Sequence, residues 1–178
     1  MCMMSFLLWT VFFLLVGSAA IAGLSAAPWL PTRKRELDVL VRAIKDKDLR
    51  HVYDLGCGDG RILFTLAVHM PSTKFIGIEM SLLPYFAGKM RQLFGRHKNV
   101  SIRLGNLFNA NLQDADCVIT FLLSKAYPRL IAKFQEELAD DTLIVIEAWP
   151  LPDIKPSQTI KEDGKLALHL YQARELLN

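Results

Sequence analysis

One short stretch constrains this chain more than any other: Asp54-Leu55-Gly56-Cys57-Gly58-Asp59-Gly60, directly after Val52-Tyr53. An acidic residue closes a short strand, and glycine then returns at every second position. Glycine has no Cβ and accepts positive φ, so such a turn lets a ligand approach bare backbone. The segment from Arg61 to His69 has helical character, and the free N–H groups at its start point at the same ligand. A glycine turn between strand and helix is where open α/β sheets bind nucleotide-like cofactors. The turn therefore predicts both a fold class and the place of a site.

The rest of the chain agrees with that class. Leu37, Leu40, Val41 and Ile44 fall at helical spacing within 33–45. His51–Leu55, Lys74–Glu79, Val100–Leu104, Asp116–Phe121 and Thr142–Ala148 read as strands, the fourth nearly all apolar and so central. Ile62–Val68, Leu82–Phe94 and Tyr127–Leu138 read as helices, with Pro84 confined to the first turn of its helix. Lys161-Glu162-Asp163-Gly164 reads as a hairpin turn between Gln158–Ile160 and Lys165–Tyr171. The expected fold is α/β: a doubly wound, mainly parallel seven-stranded, Rossmann-like sheet with a C-terminal antiparallel hairpin at one edge.

The first 32 residues are different. No charged side chain precedes Arg33, and Phe6 to Ala27 is almost wholly apolar, close to the ~20 residues that cross a hydrocarbon core as a helix. Trp9 and Trp29 flank the run, and Arg33-Lys34-Arg35 follows it. The expectation is one N-terminal transmembrane helix within residues 1–27, touching the lipid bilayer through residues 6–27, with the domain of residues 28–178 on the cytoplasmic face of the membrane. A cleaved signal peptide, with Ser25-Ala26-Ala27 near its cleavage point, is the rival reading. It lacks the positive n-region such a peptide wants. A buried core helix is a third reading, though a soluble helix normally shows a polar face.

The net charge of +3 is carried by residues 33–178 and is spread out, without a basic stripe interleaved with aromatics. Nucleic-acid binding gains little support. Three cysteines without C-x-x-C spacing, and four histidines far apart in sequence, predict neither a disulfide framework nor a metal site. Cys57 and Cys117 read as small packed residues rather than nucleophiles.

Two cofactor classes use a glycine turn of this kind. A dinucleotide fingerprint is G-x-G-x-x-G with an acidic residue about 20 positions on. Here the third glycine comes one place early, and Arg61 stands where the fingerprint expects glycine. A diphosphate also favours an electropositive nest, whereas Asp54 and Asp59 bracket this turn with carboxylates. Negative charge suits a cofactor that is itself positive.

The pattern resembles motif I of class I S-adenosylmethionine-dependent methyltransferases, acidic-x-G-x-G-x-G. The resemblance implies a cofactor site formed by Asp54, Gly56, Cys57, Gly58, Asp59, Gly60 and Arg61, with S-adenosylmethionine as the cofactor. It further implies that Glu79, ending the second strand, accepts from the ribose hydroxyls, and that Asn106 with Leu107, just past the third strand, reads the adenine. Within the superfamily the chain is similar to the small membrane-anchored protein-lysine methyltransferases related to those that modify the ATP synthase c-subunit and the adenine nucleotide translocase, as a compact bacterial-type member. Pro28-Trp29-Leu30-Pro31-Thr32, Gly77-Ile78-Glu79 and Glu137-Leu138-Ala139-Asp140-Asp141 carry that resemblance. It departs at Cys57, where relatives often have Ser; at Asn106, where they often have Asp; and at Phe121-Leu122-Leu123-Ser124-Lys125, which lacks their usual proline.

Methyl transfer from a sulfonium is an in-line displacement, and holding the nucleophile aligned near 3–3.5 Å supplies much of the gain. A lysine acceptor must first lose its proton, which burial in an apolar channel favours. Trp29, Phe121, Tyr127 and Trp149 are the candidates to line such a channel. Each alone also reads as an ordinary core or interfacial aromatic. No general base stands out, so the catalytic residues stay unassigned. The expected acceptor is a lysine of a membrane-associated protein. The alternatives are a lipid-soluble small molecule such as a quinone or phospholipid, or a non-enzymatic binding module that kept the fold.

Overall fold

The computed structural model describes residues 4–10, 12, 13, 16, 17, 34–95 and 97–177. Five strands, β1 (His51–Leu55), β2 (Lys74–Glu79), β3 (Val100–Leu104), β4 (Cys117–Thr120) and β5 (Leu143–Glu147), are separated by helices α2 (Arg61–His69), α3 (Leu82–Phe94) and α4 (Tyr127–Glu137). Helix α1 (Lys34–Ile44) precedes them, and β6 (Gln158–Ile160) and β7 (Leu168–Gln172) follow. All seven strands join one sheet in the order β3-β2-β1-β4-β5-β7-β6. The first five pair in parallel. β7 runs antiparallel between β5 and β6. The expected doubly wound sheet with a terminal hairpin at one edge is the architecture found.

The order follows from the strand compositions. β4 and β5 are buried at every residue, as centre strands covered on both faces must be. Side chains alternate across the sheet. Val52 of β1 joins a core beneath α1 and α2, with Phe75, Ile102 and Val145. Tyr53 and Leu55 turn the other way, into a core with Leu130 and Phe134 of α4. Val118, Leu130 and Ile144 are fully buried, each contributing roughly 1.5–3 kcal/mol over exposure. The chain leaves β1 in one direction to β2 and β3, and in the other to β4 and β5. The crevice outside the strands' carboxyl ends at this reversal is where open α/β sheets bind ligands, and the glycine turn lies there.

Two boundaries bear on function. β4 ends at Thr120, so Phe121 belongs to the exit loop rather than to the strand. Between β3 and β4 the chain forms only a 3₁₀ turn, Leu107–Asn109. This leaves a cleft of about 690 Å³ lined by Tyr53, Ile78, Asn106 and Asp114, among others.

At the N-terminus residues 4–10 are helical. No helix among the described residues is long and apolar enough to cross a membrane. The transmembrane helix expected over 6–27 is thus not found there, but 18–33 of the chain, with Trp29, lie outside the described residues.

Candidate cofactor and acceptor site

The glycine turn has the backbone that its sequence requires. Gly56, Gly58 and Gly60 have φ of 84°, 56° and 73°, a region costly for residues with a Cβ. Gly60 caps α2 in the left-handed conformation. A Cβ there would meet Ile102 Cδ1 at 2.8 Å and Phe64 Cε2 at 2.9 Å. The Gly56 and Cys57 N–H groups donate to the Ile78 carbonyl at 2.9 and 3.1 Å, which ties the turn to β2. Cys57 points inward. A Cβ on Gly77 would come within 2.5 Å of its sulfur, so Gly77 makes room for the thiol. Burial, reinforced by Asp54 and Glu79, pushes that thiol well above its ordinary value. Cys57 is a packed residue and not a nucleophile.

The two carboxylates of the turn part company. Asp59 receives the Arg61 fork at 3.0 and 2.9 Å and Arg91 of α3 at 3.1 Å. Burial works against ionisation of Asp59, yet these guanidinium contacts outweigh it and hold the carboxyl below its ordinary value. Its charge is therefore spent on clasping the turn to α2 and α3, which corrects the expectation that it brackets the cofactor as free negative charge. Asp54 is 2% exposed, and its Oδ2 meets no hydrogen-bond partner among the described residues. Burial pushes its carboxyl well above 3.8, and the charges of Glu147, Glu79 and Asp59 add to this. An orphaned buried carboxylate beside a glycine turn fits the ammonium of an amino-acid moiety, which would supply the missing counter-charge.

Glu79 ends β2 with both oxygens engaged. Oε2 accepts from the Gly58 N–H at 2.9 Å and Oε1 from the Ser81 N–H at 2.6 Å. A carboxylate has about four lone-pair sites, so it braces the turn and keeps capacity for hydroxyl donors. Asn106 Oδ1 accepts from the Phe108 N–H at 3.0 Å and caps the 3₁₀ turn. This is the role of a turn residue; its second lone pair and its amide N–H groups remain for a ligand. Leu107 is buried behind it.

The aromatic candidates separate as well. Phe121 and Trp149 stack, with ring centroids 6.1 Å apart and planes 19° from parallel. Trp149 is 45% exposed, which makes the pair a surface at the strand ends. Tyr127 is fully buried, and its hydroxyl donates to the Trp149 carbonyl at 2.7 Å. Burial raises that hydroxyl to about 12. Tyr127 belongs to the core and ties the β5 exit loop down, so it does not line a channel.

Two residues of this region were not found from sequence. Ala148 has φ of 76°, and the Trp149 N–H donates to Glu147 O at 3.2 Å across it, the pattern of a strained γ-turn. Glu147, 3% exposed, ends β5 as Glu79 ends β2, and its charge is felt at Asp54 near the end of β1. The signal was available: an acidic residue closing the otherwise apolar run Leu143-Ile144-Val145-Ile146.

Comparison with known proteins decides the family. The family model of the ANTKMT methyltransferase domain matches residues 54–158. The chain belongs to that family. A protein-lysine N-methyltransferase of Saccharolobus islandicus is 30% identical over 151 residues, covering 81% of this chain and 91% of that protein. The mouse ATP synthase C-subunit lysine N-methyltransferase is 23% identical over 136 residues, or 76% of this chain and 54% of its own length. An RNA methyltransferase from Salinibacter ruber, solved with S-adenosyl-L-homocysteine, superimposes with a TM-score of 0.74 at 26% identity, covering 81% of this chain and 94% of that one. This ANTKMT-family chain is an S-adenosylmethionine-dependent methyltransferase with S-adenosylmethionine as its cofactor.

Proposed function

We propose that this enzyme methylates a lysine side chain of a membrane-associated protein while tethered to the membrane by its N-terminal segment. The observation that carries the acceptor class is the similarity to a protein-lysine N-methyltransferase along 81% of the chain. In this reading Asp54 and the Gly56–Gly60 backbone hold the amino-acid end of the cofactor, Glu79 the ribose and Asn106 with Leu107 the adenine. Arg61 and Asp59 keep the turn in shape. The cofactor supplies an electrophilic methyl group on a sulfonium. The chain's part is to align and desolvate the acceptor. The stacked Phe121 and Trp149 would flank an entering aliphatic stem and hold its neutral amine in line with the methyl group that the cofactor would supply. The Glu147 carboxylate at the strand end favours an arriving ammonium, and the surrounding apolar groups favour its deprotonation.

The tether rests on the uncharged run of residues 6–27 and on the helical 4–10, where Phe6, Leu7, Leu8 and Trp9 are all more than half exposed. Residues 1–27 would then be the anchor and 28–178 the methyltransferase domain, on the cytoplasmic face. Tethering raises the local concentration of a membrane-borne acceptor. The test incubates the full-length enzyme with radiolabelled S-adenosylmethionine and membranes, separates protein, lipid and RNA, and hydrolyses the protein. Label in methyl-lysine supports the reading; label confined to lipid or to RNA overturns it.

A further inference from the structure

The outward face of α3 is apolar where a surface helix should be polar. Leu83, Phe86, Met90, Leu93 and Phe94 are each more than half exposed. At 3.6 residues per turn they fall within an arc of about 120°. The opposite side of the same helix is already used: Pro84 and Gly88 are buried, and a Cβ on Gly88 would meet the Asp59 backbone at 3.4 Å. A contiguous exposed apolar face of this kind marks an interaction surface.

Charge says what covers it. From Met80 to Gln113 the sequence contains no Asp or Glu, but it contains Lys89, Arg91, Arg96, Lys98 and Arg103. In the whole chain Lys and Arg exceed Asp and Glu only by 21 to 18, so the positive excess is concentrated around this helix. Arg91 is committed to Asp59. Lys98, four residues past the helix, is exposed, whereas Arg103 lies on the other face of the sheet, in the cleft with Tyr53 and Ile78. An apolar stripe on a helix that has Lys89 and Arg91 but no Asp or Glu of its own, with Asp59 already paired beneath it, matches an anionic bilayer surface. A second copy of the chain fits less well: a stable interface takes roughly 800 Å² and 20–30 residues per partner, and the stripe offers five side chains on a 13-residue helix. Nucleic acid fits less well too, because the exposed centre of the stripe is aliphatic and aromatic rather than cationic.

We propose that α3 is a second membrane contact, lying in the headgroup plane of an anionic bilayer with Leu83, Phe86, Met90, Leu93 and Phe94 inserted. This contact is independent of residues 6–27 and of the identity of the acceptor. Its consequence for the enzyme is orientation. α3 begins three residues after Glu79 and packs on the glycine turn, so seating the helix fixes the crevice beside the membrane surface.

The test uses the full-length chain with Cys2→Ser and one new cysteine carrying a nitrobenzoxadiazole dye; Cys57 and Cys117 are buried and stay unlabelled. The dye is placed at Met90→Cys, or at Glu136→Cys on α4, across the sheet. In vesicles of phosphatidylcholine with phosphatidylglycerol, the Met90 dye is expected to brighten about threefold. Nitroxide lipids should quench it at the depth of roughly 5–10 Å typical of an in-plane helix. The Glu136 dye should stay unchanged, and Leu93→Ser with Phe94→Ser should reduce the Met90 response by half or more while leaving soluble-peptide methylation intact. Equal responses at Met90 and Glu136 overturn the proposal. So does no response at Met90, a response to an RNA oligonucleotide in place of vesicles, or burial of the dye by self-association without lipid. Loss of methyl transfer to lysine with the Met90 response intact would strike the proposed acceptor instead.

Discussion

In the proposed cofactor site Asp54 is the residue that matters most, because it is a buried acid with an unfilled oxygen. Its folded carboxyl lies above 3.8, so the native state binds more protons than the unfolded state between 3.8 and that raised value. Stability from this group is therefore full below 3.8 and is lost as pH rises through the folded value. A bound ammonium reverses the balance by favouring the charged form. Binding of S-adenosylmethionine or S-adenosylhomocysteine is then expected to release a proton and to tighten as pH rises from 5 to 8. Titration calorimetry in buffers of different ionisation enthalpy reads that proton directly, and Asp54→Asn should abolish it. The same variant should lose at least about tenfold in affinity, or about 1.4 kcal/mol, yet melt higher than the native chain without ligand, and more so at pH 8 than at pH 5. Buffer-independent binding enthalpy in the native chain would place the ammonium elsewhere. Gly60 is the complementary case, constrained by shape rather than charge. Gly60→Ala brings the left-handed cost of about 1–2 kcal/mol and forces Ile102 and Phe64 aside. It should lower the unfolding free energy by at least that amount, read as a lower denaturant midpoint at an unchanged m-value.

At the scale of elements, each strand end does one job, and the sequence showed some of these jobs better than others. The β1 exit was legible because glycine at alternate positions has few uses besides a tight turn. The β2 exit was legible because Glu79 closes an apolar strand. Glu147 closes β5 by the same rule, but no glycine turn follows it, so its sequence context does not set it apart from an ordinary strand-end acid. Tyr127 reads as a channel candidate in the sequence because a loop-adjacent aromatic looks the same whether it faces in or out; its complete burial and the 2.7 Å bond to Trp149 O show that it faces in. Asp59 looked like cofactor charge because Arg91 is 32 residues away in sequence. The β5 exit turn gives two separable predictions. Tyr127→Phe removes one hydrogen bond to a loop carbonyl and should cost about 0.5–1.5 kcal/mol, with a fall in kcat as Trp149 loosens against Phe121. Ala148→Gly relieves strain of roughly 1–3 kcal/mol against an unfolded-state cost of about 0.4–1 kcal/mol. It should melt no lower than the native chain while still losing kcat. A lower melting temperature for Ala148→Gly would show that the turn is unstrained.

In the whole molecule these exits converge on one edge of the sheet, with the proposed cofactor groups on the β1–β2–β3 side and the aromatic pair on the β4–β5 side. The division follows from topology: the chain leaves β1 in opposite directions, and the crevice at that reversal has one set of strand ends on either side, while the two cores lie on opposite faces of the sheet and run through both sets. The fold class was legible because apolar strands alternate with amphipathic helices. The division of labour was not, because it depends on which strands become neighbours. Binding to the first half alone should stabilise the whole, since a ligand that binds only the folded state adds RT ln(1 + [L]/Kd), about 2.7 kcal/mol at a hundred times Kd. For a domain of this size that corresponds to a rise in Tm of roughly 5–11 °C. The rise should vanish in Glu79→Ala, whose carboxylate bridges Gly58 and the start of α3, and in Asp54→Asn. It should survive in Trp149→Ala, which alters only the acceptor side and should raise KM for a lysine peptide. Thermal melts of the three variants with and without S-adenosylhomocysteine check the assignment. If Trp149→Ala lost the shift as completely as Glu79→Ala, the two halves of the crevice would be a single site, and the cofactor would reach across to the aromatic pair.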